Sequence, residues 1–344
     1  MQGYQEIRAL SVGISIQEWL EELLCMPSAL PLIGRGHIFS VHQRSLILQP
    51  EPHTPRTPEF LIIGLSSLES GPLFIALPSD AMASFQSHSF HTGQPFHLFR
   101  RRIQQRCPSN SSVYRLQIGP ALDVHMEVLP QPSNLGSFQI REGIWCPARG
   151  ETLDRMWEDI QIAGHMDGLG WLRAHPFPPD SPGAQGHTII NEIHGFLNAL
   201  HYSENCIPET LGLLGRGPGA TPSGDDVLAG LLLVLHHGLP ESLQAIGTQL
   251  GTHVAEGAHT RTNALSRAFL NQARRGRAAE SLFHILRTII FPTQETPTHE
   301  LIDRAASIGH TSGIDTLIGM FLGWRLLLWQ EGNRRFHCEE AGPR

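Results

Sequence analysis

Gly215-Arg216-Gly217-Pro218-Gly219-Ala220-Thr221-Pro222-Ser223-Gly224-Asp225-Asp226 leads straight into Val227-Leu228-Ala229-Gly230-Leu231-Leu232-Leu233-Val234-Leu235. The glycines and prolines forbid regular structure up to Ser223, and the apolar run after it predicts a buried helix. Ser223 stands where an N-cap belongs and Asp226 follows three residues later, a capping box with Asp in place of Glu. A glycine-rich loop entering a helix N-terminus presents backbone N–H groups and the positive end of the helix dipole, so it can hold an anion. Arg216 can add a charge-assisted contact. Asp225 and Asp226 repel an anion unless a cation lies between, so the pair suggests a metal-bridged phosphate or general acid/base chemistry.

The pattern occurs twice. Ser223-Gly224-Asp225-Asp226-Val227-Leu228-Ala229-Gly230 is echoed by Ser312-Gly313-Ile314-Asp315-Thr316-Leu317-Ile318-Gly319. Both copies read as the start of an apolar helix with a glycine about one turn in. Glycine there costs about 1 kcal/mol relative to alanine, and close helix–helix approach is a reason to accept that cost. Two ordinary capping boxes would account for the echo but not for the glycine-rich lead-in or Asp225. If the two helix starts face each other, they line one pocket with N–H groups and carboxylates. Between them, His259-Thr260-Arg261-Thr262-Asn263 precedes another helix and reads either as a phosphate grip or as a simple Thr cap. His253 and His259 could ligate a metal, but among 20 histidines a surface or core role is the plainer reading.

Outward from this stretch the chain changes character. Residues 46–48, 60–63, 73–77, 96–99, 113–118 and 124–128 read as short strands, several alternating apolar with polar. Only one helix, Gln17 to Leu24, precedes them. An antiparallel sandwich or barrel is expected. Arg100, Arg101, Arg102 and Arg106 read as a solvated strand edge. A helix capped by Thr152 is expected from Leu153 to Ile162, then a Pro-rich connector from Pro176 to Gly183. Beyond it, residues 189–200 carry an amphipathic stripe. Helices are expected over 240–256, 262–275, 278–290, 298–307 and 312–329. The reading is α+β: a β-rich domain at 1–150, a linking helix and connector at 151–183, a helical domain at 184–330 and a frayed tail at 331–344.

Composition excludes several classes. The chain has 344 residues and a formal net charge of −7, which argues against a general nucleic-acid binder. All 25 basic residues are arginine. Without lysine there is no Schiff base, no pyridoxal phosphate attachment and no Walker-type loop. A GC-rich genome explains the missing lysine equally well, and the exclusion holds either way. Five scattered cysteines give neither a zinc ribbon nor a disulfide frame. No signal peptide or membrane span is expected, so the reading is cytoplasmic. Gly215-x-Gly217-x-x-Ala220 fits the dinucleotide fingerprint loosely, but no strand precedes it and Pro222 interrupts it, so no nucleotide cofactor is expected.

Gly-x-Gly-Pro-Gly-x-Thr-Pro-Ser-Gly-Asp-Asp-x-Leu-x-Gly over 215–230, with Gly309-His310-Thr311-Ser312-Gly313-x-Asp315 near the end, resembles a family long catalogued as a domain of unknown function. Its best-placed members are the AllH-type subunits of oxamate carbamoyltransferase. Gly34 to Val41 is also similar to that family's first strand. The resemblance implies a role in anaerobic allantoin and purine nitrogen use. There a three-subunit complex converts oxalurate and phosphate to oxamate and carbamoyl phosphate. It also implies two partner subunits, small anionic substrates and a Mg²⁺ requirement.

Two functions follow. In the first, the chain is a carbamoyltransferase subunit. Gly215, Gly217 and Gly219 let the backbone approach a phosphate, with Thr221, Ser223 and Gly224 beside them. Arg216 or Arg261 neutralises it, with Thr262, His310, Thr311, Ser312 and Gly313 as further anion contacts. Asp225, Asp226 and Asp315 hold Mg²⁺ or move a proton. In the second, the chain is a non-catalytic scaffold or regulatory subunit and the glycine loop only fits helices together. Convergence of the two helix starts with solvent-accessible carboxylates favours the first; buried, mutually capped aspartates favour the second.

Overall fold

The computed structural model describes residues 5–25, 32–65, 71–81, 89–101, 112–119, 122–128, 147–163, 212–238, 244–292 and 298–340. The chain divides into two compact units, Met1–Gly136 and Ser137–Arg344. The first holds β1 (Gln5–Arg8), β2 (Ser11–Val12), α1 (Ile14–Cys25), β3 (Leu32–Val41), β4 (Ser45–Pro50), β5 (Leu61–Leu65), β6 (Phe74–Leu77), β7 (Pro95–Arg101), β8 (Ser112–Ile118) and β9 (Leu122–Val128), with a 3-10 turn at Ser79–Ala81. They form one nine-stranded sheet in the order β1-β9-β8-β7-β3-β4-β5-β6-β2.

Residues 5–12 serve both edges of that sheet. β1 pairs with β9 and β2 with β6, while Ala9 N donates to His125 O and Leu10 N to Ala76 O, each at 2.8 Å. The sheet therefore curls back on itself, which shields its edges. Period-two alternation decides the two faces. Phe96, Leu98, Tyr114, Leu116, Ile118, Leu122, Val124 and Met126 pack into one core with Trp19 and Leu20 of α1. Residues between them turn the other way: Arg115 lies 5.0 Å from the Phe99 ring centroid and 3.6 Å from the Asp123 carboxylate.

The α+β reading stands, with one difference in the sheet. It is mixed rather than antiparallel, because β1–β9 and β5–β6 are parallel. Alternation gives a strand's faces but not its direction, which depends on where the chain re-enters the sheet.

The second unit is helical: α2 (Pro147–Ala163), α3 (Ser223–Gly238), α4 (Gln244–Arg261), α5 (Ala264–Ala273), α6 (Glu280–Ile290), α7 (Thr298–Ala306) and α8 (Ser312–Glu340). One core joins them, with Leu153, Met156 and Ile160 of α2 packed among Leu228, Leu232, Leu286, Ile302, Leu317 and Trp324. α2 begins ahead of Thr152, whose hydroxyl donates to Ala148 O at 2.8 Å inside the helix rather than capping it. α8 continues to Glu340, through the stretch where the sequence predicts a frayed tail. The Pro176–Gly183 connector and the stripe at 189–200 lie outside the described residues. No helix among the described residues is long and apolar enough to cross a membrane.

Candidate functional site

α3 and α8 are the two helices of the sequence echo, and they cross close to their N-termini. A Cβ on Gly230 would overlap Thr316 O and stand 2.8 Å from Met320 N. A Cβ on Gly319 would overlap Val227 O and stand 2.9 Å from Val227 Cα. In the echo Gly230 matches Gly319 and Val227 matches Thr316, so the contact is reciprocal. Each copy's glycine receives the other copy's backbone, a local pseudo-two-fold. The lead-ins match as well. Gly217 (φ +102°) and Gly309 (φ +62°) are both left-handed, and a Cβ on either would stand 3.3 Å from the Oγ of Ser223 or Ser312, respectively. Gly224 N donates to Arg216 O at 2.8 Å, as Gly313 N does to Ile308 O at 3.0 Å.

The crossing brings the two helix starts together. Thr221 Oγ1 and Ser312 Oγ are hydrogen-bonded at 2.5 Å. Asp226 lies beside both hydroxyls, which favour its charged form, and Asp315 is close enough to interact with it electrostatically. Burial first, then the Asp315 charge, pushes Asp226 well above the usual carboxylate range; Ser312 and Thr221 pull the other way and Asp225 adds to the rise. Asp226 Oδ2 and Ser223 Oγ are buried without a hydrogen-bond partner.

Asp225 has a different task. Its Oδ1 accepts from Gly215 N at 2.8 Å and its Oδ2 from the Thr262 hydroxyl. Burial raises its pKa and these bonds oppose the rise. Asp225 thereby ties the start of the glycine loop to the start of α5. Gly215 sits at φ +74° with no room for a side chain, since a Cβ would overlap Arg261 O. Asn263, not Thr262, caps α5: its Oδ1 accepts from Ser266 N at 2.9 Å while its Nδ2 donates to Ala220 O at 2.8 Å. An Asn just ahead of Ala264 is the local signal for that cap.

The capping boxes do not form as read. Pro222 O accepts from Asp225 N at 2.9 Å and Asp226 N at 3.2 Å, and Thr311 O accepts from Asp315 N at 2.9 Å. Ser223 and Ser312 are the first helical residues rather than caps. Backbone carbonyls and Asp225 have thus taken the N–H groups of Gly215, Gly224, Asp225, Asp226, Gly313 and Asp315 that a bound anion would otherwise use. Apart from the buried Ser223, the rest of the candidate anion site stays outward. Arg216, Gly217, Gly219, Arg261 and His310 are exposed, and Thr221, Thr262, Thr311 and Ser312 are half-buried. Arg216 Nε donates to Gly212 O at 3.2 Å.

All three aspartates are buried: Asp225 is 2% exposed, Asp226 6% and Asp315 0%. Among the described residues no three His, Cys, Asp or Glu side chains are grouped so as to hold a metal ion. Mg²⁺ requires near-ideal octahedral oxygen ligation, and Asp225 spends both oxygens on the chain itself. The residues do not fit a magnesium cage of Asp225, Asp226 and Asp315.

Residues 213–324 match the family model of the oxamate carbamoyltransferase subunit AllH. The match covers roughly a third of the chain. It begins at Leu213, ahead of the glycine loop, and ends at Trp324 in α8, so it takes in both helix starts, the Arg261–Asn263 junction and the reciprocal glycines. No solved structure matches the chain.

The Asp226 environment has a measurable consequence. A carboxyl with a raised folded-state pKa makes the native state bind more protons than the unfolded one. Stability then falls as pH rises from about 4, where the unfolded group titrates, until the folded group has titrated. The slope for one such group is about 1.4 kcal/mol per pH unit. Asp226→Asn removes it. The expected result is a variant that gains on the wild type as pH rises, seen in urea titrations at a series of pH values. Parallel pH profiles for the two proteins would contradict the assignment.

Proposed function

We propose that the chain is a subunit of a carbamoyltransferase of the oxamate type, acting on oxalurate and phosphate to give oxamate and carbamoyl phosphate alongside two partner subunits in the cytoplasm. The observation that carries this reading is that the family match falls on the duplicated helix starts and the loop between Gly215 and Pro222. The substrate-facing groups are the exposed Arg216 and Arg261 and the half-buried hydroxyls of Thr221 and Ser312. The arginines bind and orient an anion by charge-assisted hydrogen bonds. The aspartates work from behind: Asp225 holds the loop and Asp226 orders the two hydroxyls. Stabilising charge that develops on phosphate during transfer then falls to groups already fixed in place.

One observation favours the scaffold reading. All three carboxylates are buried, and buried, mutually bonded aspartates are what a purely structural helix junction would need. An assay separates the two. The assembled complex should convert oxalurate only when phosphate is present, and Arg216→Ala should cut kcat/KM by about 10²-fold, the loss of one charge-assisted contact to a developing charge. Full activity in the Arg216→Ala and Arg261→Ala variants would leave the chain a scaffold.

A further inference from the structure

Burial sorts the polar groups at the helix starts. The cations Arg216 and Arg261 are exposed. The Thr221–Ser312 hydroxyl pair, one hydroxyl from each helix start, is half-buried. Behind it Asp226 and Asp315 are buried together, and Asp226 Oδ2 has no hydrogen-bond donor. Ser223 Oγ, 1% exposed, is equally without a partner.

An anion does not suit the buried end. Two carboxyls are there, and the first-turn N–H groups of Gly224, Asp225, Asp226, Gly313 and Asp315 already bond backbone carbonyls. A primary amide or carbamoyl –NH2 suits it well, because it brings two donors and no negative charge to an acceptor that lacks one. The two copies differ where orientation is set. Five residues separate Gly217 from Ser223, whereas two separate Gly309 from Ser312, and Ile314 replaces Asp225. The longer, arginine-bearing loop therefore stands on one side of the pseudo-two-fold, and an anionic end has one side to go to.

We propose that the converged helix starts read the amide end of the substrate: the Thr221–Ser312 hydroxyl pair, backed by Asp226, takes the carbamoyl –NH2 while the anionic end lies outward at Arg216. This rests on the transferase reading and assigns the orientation within it. Asp226 is the positioning residue; Thr221 and Ser312 determine specificity against acyl groups that carry a methyl where the carbamoyl carries nitrogen.

Calorimetric binding of inorganic phosphate, acetyl phosphate and carbamoyl phosphate to the assembled complex tests it. The wild type should prefer carbamoyl phosphate over acetyl phosphate by at least about tenfold, the size of one hydrogen bond. Thr221→Val and Ser312→Ala should each bring that ratio towards one, and Thr221→Ser should keep it. Arg216→Ala should weaken all three ligands by the same factor. A wild-type ratio near one, or a ratio that survives both Thr221→Val and Ser312→Ala while phosphate still binds, overturns the orientation and leaves the transferase reading standing. If none of the three ligands binds the wild-type complex, the transferase reading falls and the inference with it. Thermal melts identify any variant that misfolds, and the conservative Thr221→Ser then decides, since loss of the ratio in a folded Thr221→Ser protein also overturns the proposal.

Discussion

Gly230→Ala is expected to destabilise the helical unit by about 3 kcal/mol or more. The magnitude follows from what the methyl meets. Overpacking a core against movable side chains costs about 1–3 kcal/mol. At Gly230 the obstacles are Thr316 O and Met320 N, backbone atoms of a helix packed on both sides. They cannot turn to another rotamer, so α3 and α8 must separate and open the core between them. Helix propensity acts the other way by only about 1 kcal/mol. At about 2–4 °C per kcal/mol for a unit of this size, the melting temperature should drop by roughly 6–12 °C. Gly319→Ala should match it, because the contact is reciprocal. Separated helices also pull Ser312 from Thr221, so amide discrimination should be lost together with stability. A Gly230→Ala protein that melts like the wild type would show that the crossing is looser than described.

The second large effect is expected at Asp225. Asp225→Ala removes the acceptor for Gly215 N and the Thr262 hydroxyl at once. Buried donors left without acceptors cost about 1–3 kcal/mol each, and water can reach Thr262, which is half-buried. A net loss of about 2–4 kcal/mol follows. Asp225→Asn should lose about half as much, since its amide oxygen still accepts from Gly215 and its amide nitrogen can donate to Thr262. If Asp225 instead served mainly to bind a cation, Asn and Ala would both keep near wild-type stability. Denaturant midpoints for the three proteins decide between these outcomes, and proteolysis near Gly217 reports whether the loop comes loose.

Most of the helical unit's logic was legible locally. The apolar run after Asp226 predicts α3, and the Ser-Gly-x-Asp-x-Leu-x-Gly echo anticipates both the second helix and a close crossing at its glycines. The strands at 46–48, 60–63, 73–77, 96–99, 113–118 and 124–128 follow from alternation and turn residues, which are properties of a few neighbours. β1 and β2 do not follow. They are four and two residues long and exist because the two sheet edges need partners, a requirement that no local pattern records. Sheet direction at β1–β9 was hidden for the same reason.

The sequence by itself determined the order of β-rich and helical regions and a duplicated helix start with acidic first turns. Each depends on residue type or on spacings shorter than about ten positions. Only the tertiary structure decided what the aspartates do. A capping box and the helix starts formed here share one sequence, and they part according to which residue takes the cap position, here Pro222 and Thr311 in place of Ser223 and Ser312. An aspartate near a glycine loop reads as exposed and charged until another helix covers it. Packing α3 against α8 buries Asp226 beside Asp315, and desolvation then raises the cost of its charge. That burial turns a reading based on metal-binding carboxylates into one based on hydroxyls and arginines.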